Sequence, residues 1–273
     1  MLIDAHLHAS GTERVQDVLA ALDGARVDVG VVLAPFLSPG YRLGDAHSLR
    51  RANDHLAGLV RGHRDRLVGL AVVDPHLPGA ADEVARALDD LALDGLKLVP
   101  SGWYPYDECA HRVYAEAAAR EAPVLFHSGI VIDGRSSRYC RPSYYEAVRE
   151  HPGLRVTLAH LGWPWTDEAN AVGLIDLING VPPDASSFRF DISFGAPPVY
   201  REEVLRKAIA VLTPELLQFG SDRFLPCPAS AIADALAEVA RLFDRLEVDA
   251  AARERIFGGT AAAWLRLDRD LRS

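Results

Sequence analysis

The sequence predicts an α/β chain folded as a single-domain (β/α)8 TIM barrel. Three observations lead there. Short apolar runs alternate with longer amphipathic segments from one end of the chain to the other. Each run is compactly apolar rather than alternating with polar residues, as parallel strands covered by helices require. Eight such strand–helix units fill the 273 residues, and no Gly-x-Gly-x-x-Gly follows the first strand, which disfavours an open doubly wound sheet.

Taken in order, strands are expected at 2–7, 29–34, 67–73, 95–99, 123–127, 155–160, 188–193 and 216–221. Helical patterns lie near 12–23, 47–62, 79–92, 107–121, 143–150, 166–178, 201–212, 229–246 and 260–270. Thr12-Glu13, Asp107-Glu108 and Thr166-Asp-Glu have the composition of a helix start with an acidic first turn. Gly24, Gly95 and Gly153 punctuate the returns to the next strand. No linker or low-complexity tract interrupts the pattern, so one domain is expected over 1–273.

The charge balance narrows the partners. A net charge of −9 without any long Lys/Arg block argues against nucleic acid or an anionic membrane surface. No run approaches the ~20 apolar residues of a membrane span. The first residues lack the basic start and long apolar stretch of a signal peptide. Cys109, Cys140 and Cys227 are widely spaced and form no C-x-x-C pair. They read as ordinary residues in a reducing compartment. The expectation is a cytoplasmic protein with a small-molecule substrate, for which a homo-oligomer is compatible.

In a parallel barrel, chemistry sits at the C-terminal ends of the strands. Here those ends read Asp4-Ala-His6-Leu-His8, Gly95-Leu-Lys97, Phe126-His127-Ser-Gly129, Ala159-His160-Leu-Gly162 and Phe219-Gly-Ser-Asp222. Residues i and i+2 of a strand share a face, so His6 and His8 can reach one ion, with Asp4 expected on the same face. Alone, an H-x-H is more often two polar residues at a strand end. His127, His160 and Asp222 at three further strand ends make a metal centre the better reading. Imidazole and carboxylate together suit Zn²⁺, with Mn²⁺, Fe²⁺ or Co²⁺ as alternatives. The remaining histidines, His111 and His151 among them, read as solvated or packing residues. Trp103 and Trp163 either line a pocket or pack the loops.

With these motifs in hand, the chain resembles the amidohydrolase superfamily, and within it the amidohydrolase 2 family of metal-dependent hydrolases and decarboxylases. Val73-Asp-Pro-His76, Phe190-Asp-Ile-Ser193 and Ile256-Phe-Gly-Gly259 extend the likeness over essentially the whole chain. The resemblance implies a mononuclear site ligated by His6, His8, His127 and Asp222, with His160 beside it. Lys97 is a candidate second-metal ligand or substrate contact, against the plainer reading of an internal lysine paired with an acid. Two departures stand out: Arg223-Phe224 where an aromatic followed by proline is more usual, and Thr260 where asparagine is usual. Arg223 adjoins a ligand and joins Trp103 and Trp163 as a substrate-contact candidate.

The implied chemistry is hydrolysis of a small amide, lactone or ester by a metal-activated water. In that scheme Asp222 takes the water's proton and His160 steadies the oxyanion. Decarboxylation of an unsaturated or aromatic acid is the alternative on the same residues. A catalytically silent binding protein is the third.

Overall fold

The computed structural model describes residues 1–193 and 195–267. Nine parallel strands form one sheet in the order β8-β7-β6-β5-β4-β3-β2-β1-β9. They are β1 (Ile3–His8), β2 (Val29–Leu33), β3 (Leu67–Val72), β4 (Gly95–Leu98), β5 (Pro123–Phe126), β6 (Arg155–Leu158), β7 (Phe188–Asp191), β8 (Leu217–Gln218) and β9 (Arg223–Phe224). The helices α1 (Val15–Ala25), α2 (Ala46–Val60), α3 (Ala80–Ala85), α4 (Glu108–Ala119), α5 (Thr166–Ile178), α6 (Pro198–Val211), α7 (Ala229–Arg245), α8 (Ala250–Glu254) and α9 (Thr260–Leu265) accompany them.

Register sorts the apolar residues into two bodies. Ile3 pairs with Val29, Val31 with Val68 and Leu33 with Leu70, and these join Ala5 and Leu125 in one buried cluster that Ala261, Ala262 and Trp264 of α9 complete. The opposite strand face, with Leu7, Val32, Leu96 and Phe126, packs beneath the helices. Each buried Leu, Ile or Phe contributes about 1.5–3 kcal/mol, so this two-sided burial holds the strand ends in place.

The eighth strand departs from the expected continuous run at 216–221. It is broken into β8, which pairs with β7, and β9, which pairs with β1. The intervening backbone still bonds to β1: Ala5 N–H donates to the Phe219 carbonyl at 3.0 Å and Asp222 N–H to the His6 carbonyl at 2.9 Å. That segment closes the barrel. The break follows from Asp4, whose Oδ1 accepts from the Ser221 N–H at 2.9 Å and from the His6 N–H at 3.2 Å.

Asp4 itself is not on the face expected. It pairs with Gly30 and Leu7 pairs with Val32, so β1 carries one extra residue between them. This bulge reverses the phase and leaves Asp4 on the side of Leu7. There burial pushes its carboxyl up to about 7.

Two expected helices also differ. The pattern at 12–23 starts later, at Val15, because Glu13 turns back into its own loop. Its carboxylate accepts from the N–H groups of Ser10, Gly11 and Thr12, from the Ser10 hydroxyl and from His55 Nε2 at 2.7 Å. The segment expected as a helix at 143–150 is a run of tighter 3-10 turns, Pro142–Glu150. That winding carries Tyr145 into the core, where its hydroxyl donates to the His127 carbonyl. Of the helix expected over 260–270, residues 268–270 lie outside the described residues. Among the described residues no helix is long and apolar enough to cross a membrane.

Burial alone would raise the Glu13 carboxyl, but His55 and the Ser10 donors outweigh it and hold the group at about 2, against an ordinary 4.5. A depressed carboxylate stabilises the fold above its unfolded value, and that contribution is lost as pH falls from about 4.5 toward 2. Glu13→Gln is expected to cost about 2 kcal/mol at neutral pH. Urea titrations from pH 7 down to pH 2.5 should show wild type and variant converging.

Candidate metal centre

The end of β1 presents two imidazoles to one point. His6 Nδ1–H donates to Asp191 Oδ2 at 2.7 Å, which leaves the lone pair on Nε2. That nitrogen is fully buried and has no hydrogen-bond partner among the described residues. It lies 3.4 Å from Asp222 Oδ1, and His8 Nε2 lies 3.0 Å from the same oxygen. Two donors on one tetrahedral ion stand about 3.3 Å apart at usual bond lengths. The trio His6, His8 and Asp222 therefore has the spacing of a ligand set, and the orphaned nitrogen points into it.

Electrostatics favour the same state. Burial, assisted by Lys97, lowers His6, and burial with the Lys97 and His160 charges lowers His8, which favours the neutral form with a lone pair to offer. Asp222 and Asp191 go the other way. Burial opposes their ionisation, yet His6 and His160 hold both carboxyls well below the usual range. Asp222 takes a left-handed backbone, φ 56°, at the break between β8 and β9. A side chain held in such a sparsely populated conformation is commonly a site residue.

His160 is placed by the turn that follows β6, also left-handed at φ 61°. Its N–H donates to Asp191 Oδ1 at 3.0 Å and its Nδ1–H to Ser193 Oγ at 2.8 Å, while the Ser193 hydroxyl donates to Asp191. This network assigns the proton to Nδ1 and the lone pair to Nε2. The ring stacks on His6 at 5.2 Å. Close packing fixes both rings from behind: a Cβ on Gly195 would stand 2.4 Å from His160 Cβ, and one on Gly220 would stand 2.6 Å from His6 Cβ.

The other expected site residues fare differently. His127 lines the same cavity, 5.1 Å from the His160 ring, but its Nε2–H donates to the Ile130 carbonyl at 2.9 Å. It stands beside the trio rather than within it. Lys97 is fully buried, and its Nζ has no hydrogen-bond partner among the described residues, so the expected bond to an acid is not formed. Burial pushes it down to about 8, against the pull of Asp191 and Asp222.

Trp103, Trp163 and Arg223 are not among the residues that line the cavity. Trp103 is core, at 1 % exposure. Trp163 faces Tyr200 at 6.1 Å, and Arg223 Nε donates to the Ala231 carbonyl at 3.1 Å. The wall is instead mainly apolar, with Phe36, Leu37, Leu43, Val99, Ile132 and Phe224, joined by the polar Arg42, Ser101 and Asp133, around a cavity of about 330 Å³ floored by His8, His127, His160 and Asp222. Phe224 lies flat on His8 at 4.6 Å. Asp191, Ser193, Phe36 and Phe224 had no role in the sequence reading. Asp191 and Ser193 left a signal there in the Phe190-Asp-Ile-Ser193 motif, and Phe224 as part of a departure from the family pattern.

The family model described as Amidohydrolase (Amidohydro_2) matches residues 3–267. The chain belongs to the amidohydrolase family. No curated protein sequence matches it. Among solved structures it is similar to an amidohydrolase II, with TM-score 0.71 and 20% identity, covering 97% of this chain and 100% of that one. It is also similar to a dihydroxybenzoic acid decarboxylase from Polaromonas with bound manganese and 2-nitroresorcinol, with TM-score 0.66, 17% identity and coverage of 99% and 98%. A third is a probable 2-pyrone-4,6-dicarboxylic acid hydrolase from Acinetobacter baumannii, with TM-score 0.66, 16% identity and coverage of 97% and 99%. At these identities the likeness shows the shared barrel.

Asp191→Asn should disturb both the tautomer of His6 and the seat of His160. We expect affinity for Zn²⁺ or Mn²⁺, read by calorimetry, to fall about 10- to 100-fold with the fold retained.

Proposed function

We propose that this amidohydrolase-family protein is a divalent-metal-dependent hydrolase of a small, largely apolar amide, lactone or ester. His6, His8 and Asp222 would hold the ion, with His127 alongside. Zn²⁺ and Mn²⁺ both suit the donor set, as do Fe²⁺ and Co²⁺. When bound, the ion supplies a Lewis acid and lowers the pKa of water from ~16 toward ~7.

The observation that carries the reading is the tautomer of His160. Its Nδ1–H is committed to Ser193, so Nε2 bears a lone pair beside the trio, at the floor of the cavity. That nitrogen accepts a proton from the attacking water. The imidazolium that forms is stabilised through Nδ1–H, Ser193 and the ionised Asp191. The same Nε2–H then protonates the leaving group. Asp222, held well below the usual carboxylate range, serves better as a ligand than as the base, which reverses the division of labour expected from the resemblance. Phe224 and Phe36 seat a flat substrate and exclude water from its face.

The apolar wall favours a second reading, decarboxylation of an unsaturated or aromatic acid. Stripping water from a carboxylate against Phe36, Val99 and Phe224 assists loss of CO₂, and His160 would deliver the replacing proton. The three cysteines are free, which supports a reducing, cytoplasmic setting for a one-domain chain.

Purified protein should be assayed on lactones, cyclic amides and aromatic acids, with CO₂ release followed separately. Activity should vanish on chelation and return with Zn²⁺ or Mn²⁺. His160→Asn should lower kcat about 10²- to 10⁴-fold with metal stoichiometry intact. Full activity in that variant would overturn the assignment, and CO₂ release without hydrolysis would select the second reading.

A further inference from the structure

The loop after β5 lines a second cavity beside the metal centre, one with no part in the chemistry above. It encloses about 380 Å³, and its lining includes Ser101, Asp133, Arg135, Ser136, Arg138 and Tyr139. Ser101 and Asp133 also line the cavity over the trio, so they stand on the border that the two spaces share. The loop meets the charge of its own acid. Asp133 Oδ1 accepts from the N–H groups of Arg135 and Ser136, both at 2.9 Å, and Oδ2 accepts from the Ser136 hydroxyl at 2.5 Å. With that proton spent, the Ser101 hydroxyl is the donor to Ser136 Oγ at 3.0 Å. Burial opposes ionisation of Asp133, yet Ser136, the two N–H groups and the Arg135 charge hold its carboxyl below the usual range. The guanidinium groups are not committed in this way. Arg138 lies over the Tyr139 ring at 4.9 Å, and its Nη2 donates to the Tyr139 hydroxyl at 3.0 Å. Arg141 of the same loop pairs with Glu168, whereas neither Arg135 nor Arg138 forms an ion pair among the described residues.

From this placement we infer that the second cavity seats a carboxylate of the substrate, remote from the bond that reacts, with Arg135 and Arg138 as the specificity-determining residues. The inference rests on the proposed metal centre for the reacting end alone. Two guanidinium groups against one carboxylate leave the cavity one positive charge in excess, which a carboxylate monoanion matches. The planar fork of an arginine meets carboxylate oxygens two at a time, so the pair orients the group as well as attracting it. The shared border lets one molecule occupy both spaces. Its flat apolar body would lie against Phe36, Val99 and Phe224, with one end at the trio and the acid at the arginines. The substrate class narrows to a flat acid that carries a second carbonyl function.

The test is calorimetric titration of the Zn²⁺-loaded protein with benzoate and cinnamate, and with their para-carboxylated counterparts terephthalate and 4-carboxycinnamate, which offer two lengths. At one length or both, the diacid should bind about tenfold more tightly than its monoacid, and raised salt should shrink that ratio. Arg135→Gln and Arg138→Gln should each lower the ratio, and the double variant should bring it to about one. Retained metal stoichiometry reports that the variants fold. A ratio of one in wild type at both lengths, or a ratio that survives in the double variant, would overturn the inference. Tighter binding of 4-phosphonobenzoate than of terephthalate would overturn it in favour of a phosphate seat. Binding is read without turnover, so a protein that shows the ratio but hydrolyses nothing would defeat the hydrolase reading while supporting this one.

Discussion

The hydrogen bond from His6 Nδ1 to Asp191 Oδ2 organises everything around it. It crosses from the first strand to the seventh, so it spans the barrel interior and exists only once the sheet has closed. It fixes which nitrogen of His6 is bare. The other oxygen of the same carboxylate receives the His160 N–H and the Ser193 hydroxyl. One buried acid thus sets the tautomer of an imidazole in the trio, the backbone of a neighbouring turn and, through Ser193, the tautomer of His160. Two buried rings held this way lose little entropy when they engage an ion or a proton, which is what preorganisation means in physical terms.

The charges of the site balance around that hub. Asp191 and Asp222 are ionised although buried, because imidazoles and hydrogen-bond donors surround them. Lys97 lies buried within their field, without a hydrogen-bond partner among the described residues. An ammonium so placed counters the charge of the two carboxylates. Polar groups enclosed this completely are retained only where something depends on them. The apolar cluster of Ile3, Val29, Val31, Leu33 and Leu70 supplies the stiffness that makes their positions hold.

Much of this was legible in the residues. Eight apolar runs separated by helical patterns predicted the barrel, because parallel strands buried on both faces have no other way to read. The strand ends exposed His6, His8, His160 and Asp222 as companions, since every βα loop of a barrel opens on one rim. What remained hidden depended on pairing. The bulge in β1 that turns Asp4 away is a matter of register against Gly30 and Val32, which no local pattern carries. The break in the eighth strand comes from bonds to Asp4 far earlier in the chain. Phe36 read as an ordinary apolar residue and Phe224 only as a departure beside Arg223, and the closed barrel sets both against the cavity. Trp103 and Trp163 were the more conspicuous aromatics and proved to pack elsewhere.

The central claim is that one divalent ion binds where His6, His8 and Asp222 converge. Crystals grown with Zn²⁺ or Mn²⁺, and diffraction data collected on both sides of the metal's absorption edge, test it directly. The account predicts an anomalous peak within bonding distance of His6 Nε2, His8 Nε2 and the Asp222 carboxylate, with His6 Nδ1 still bound to Asp191. A protein that takes up metal with no peak at that point, or with His6 rotated away from Asp191, would contradict it.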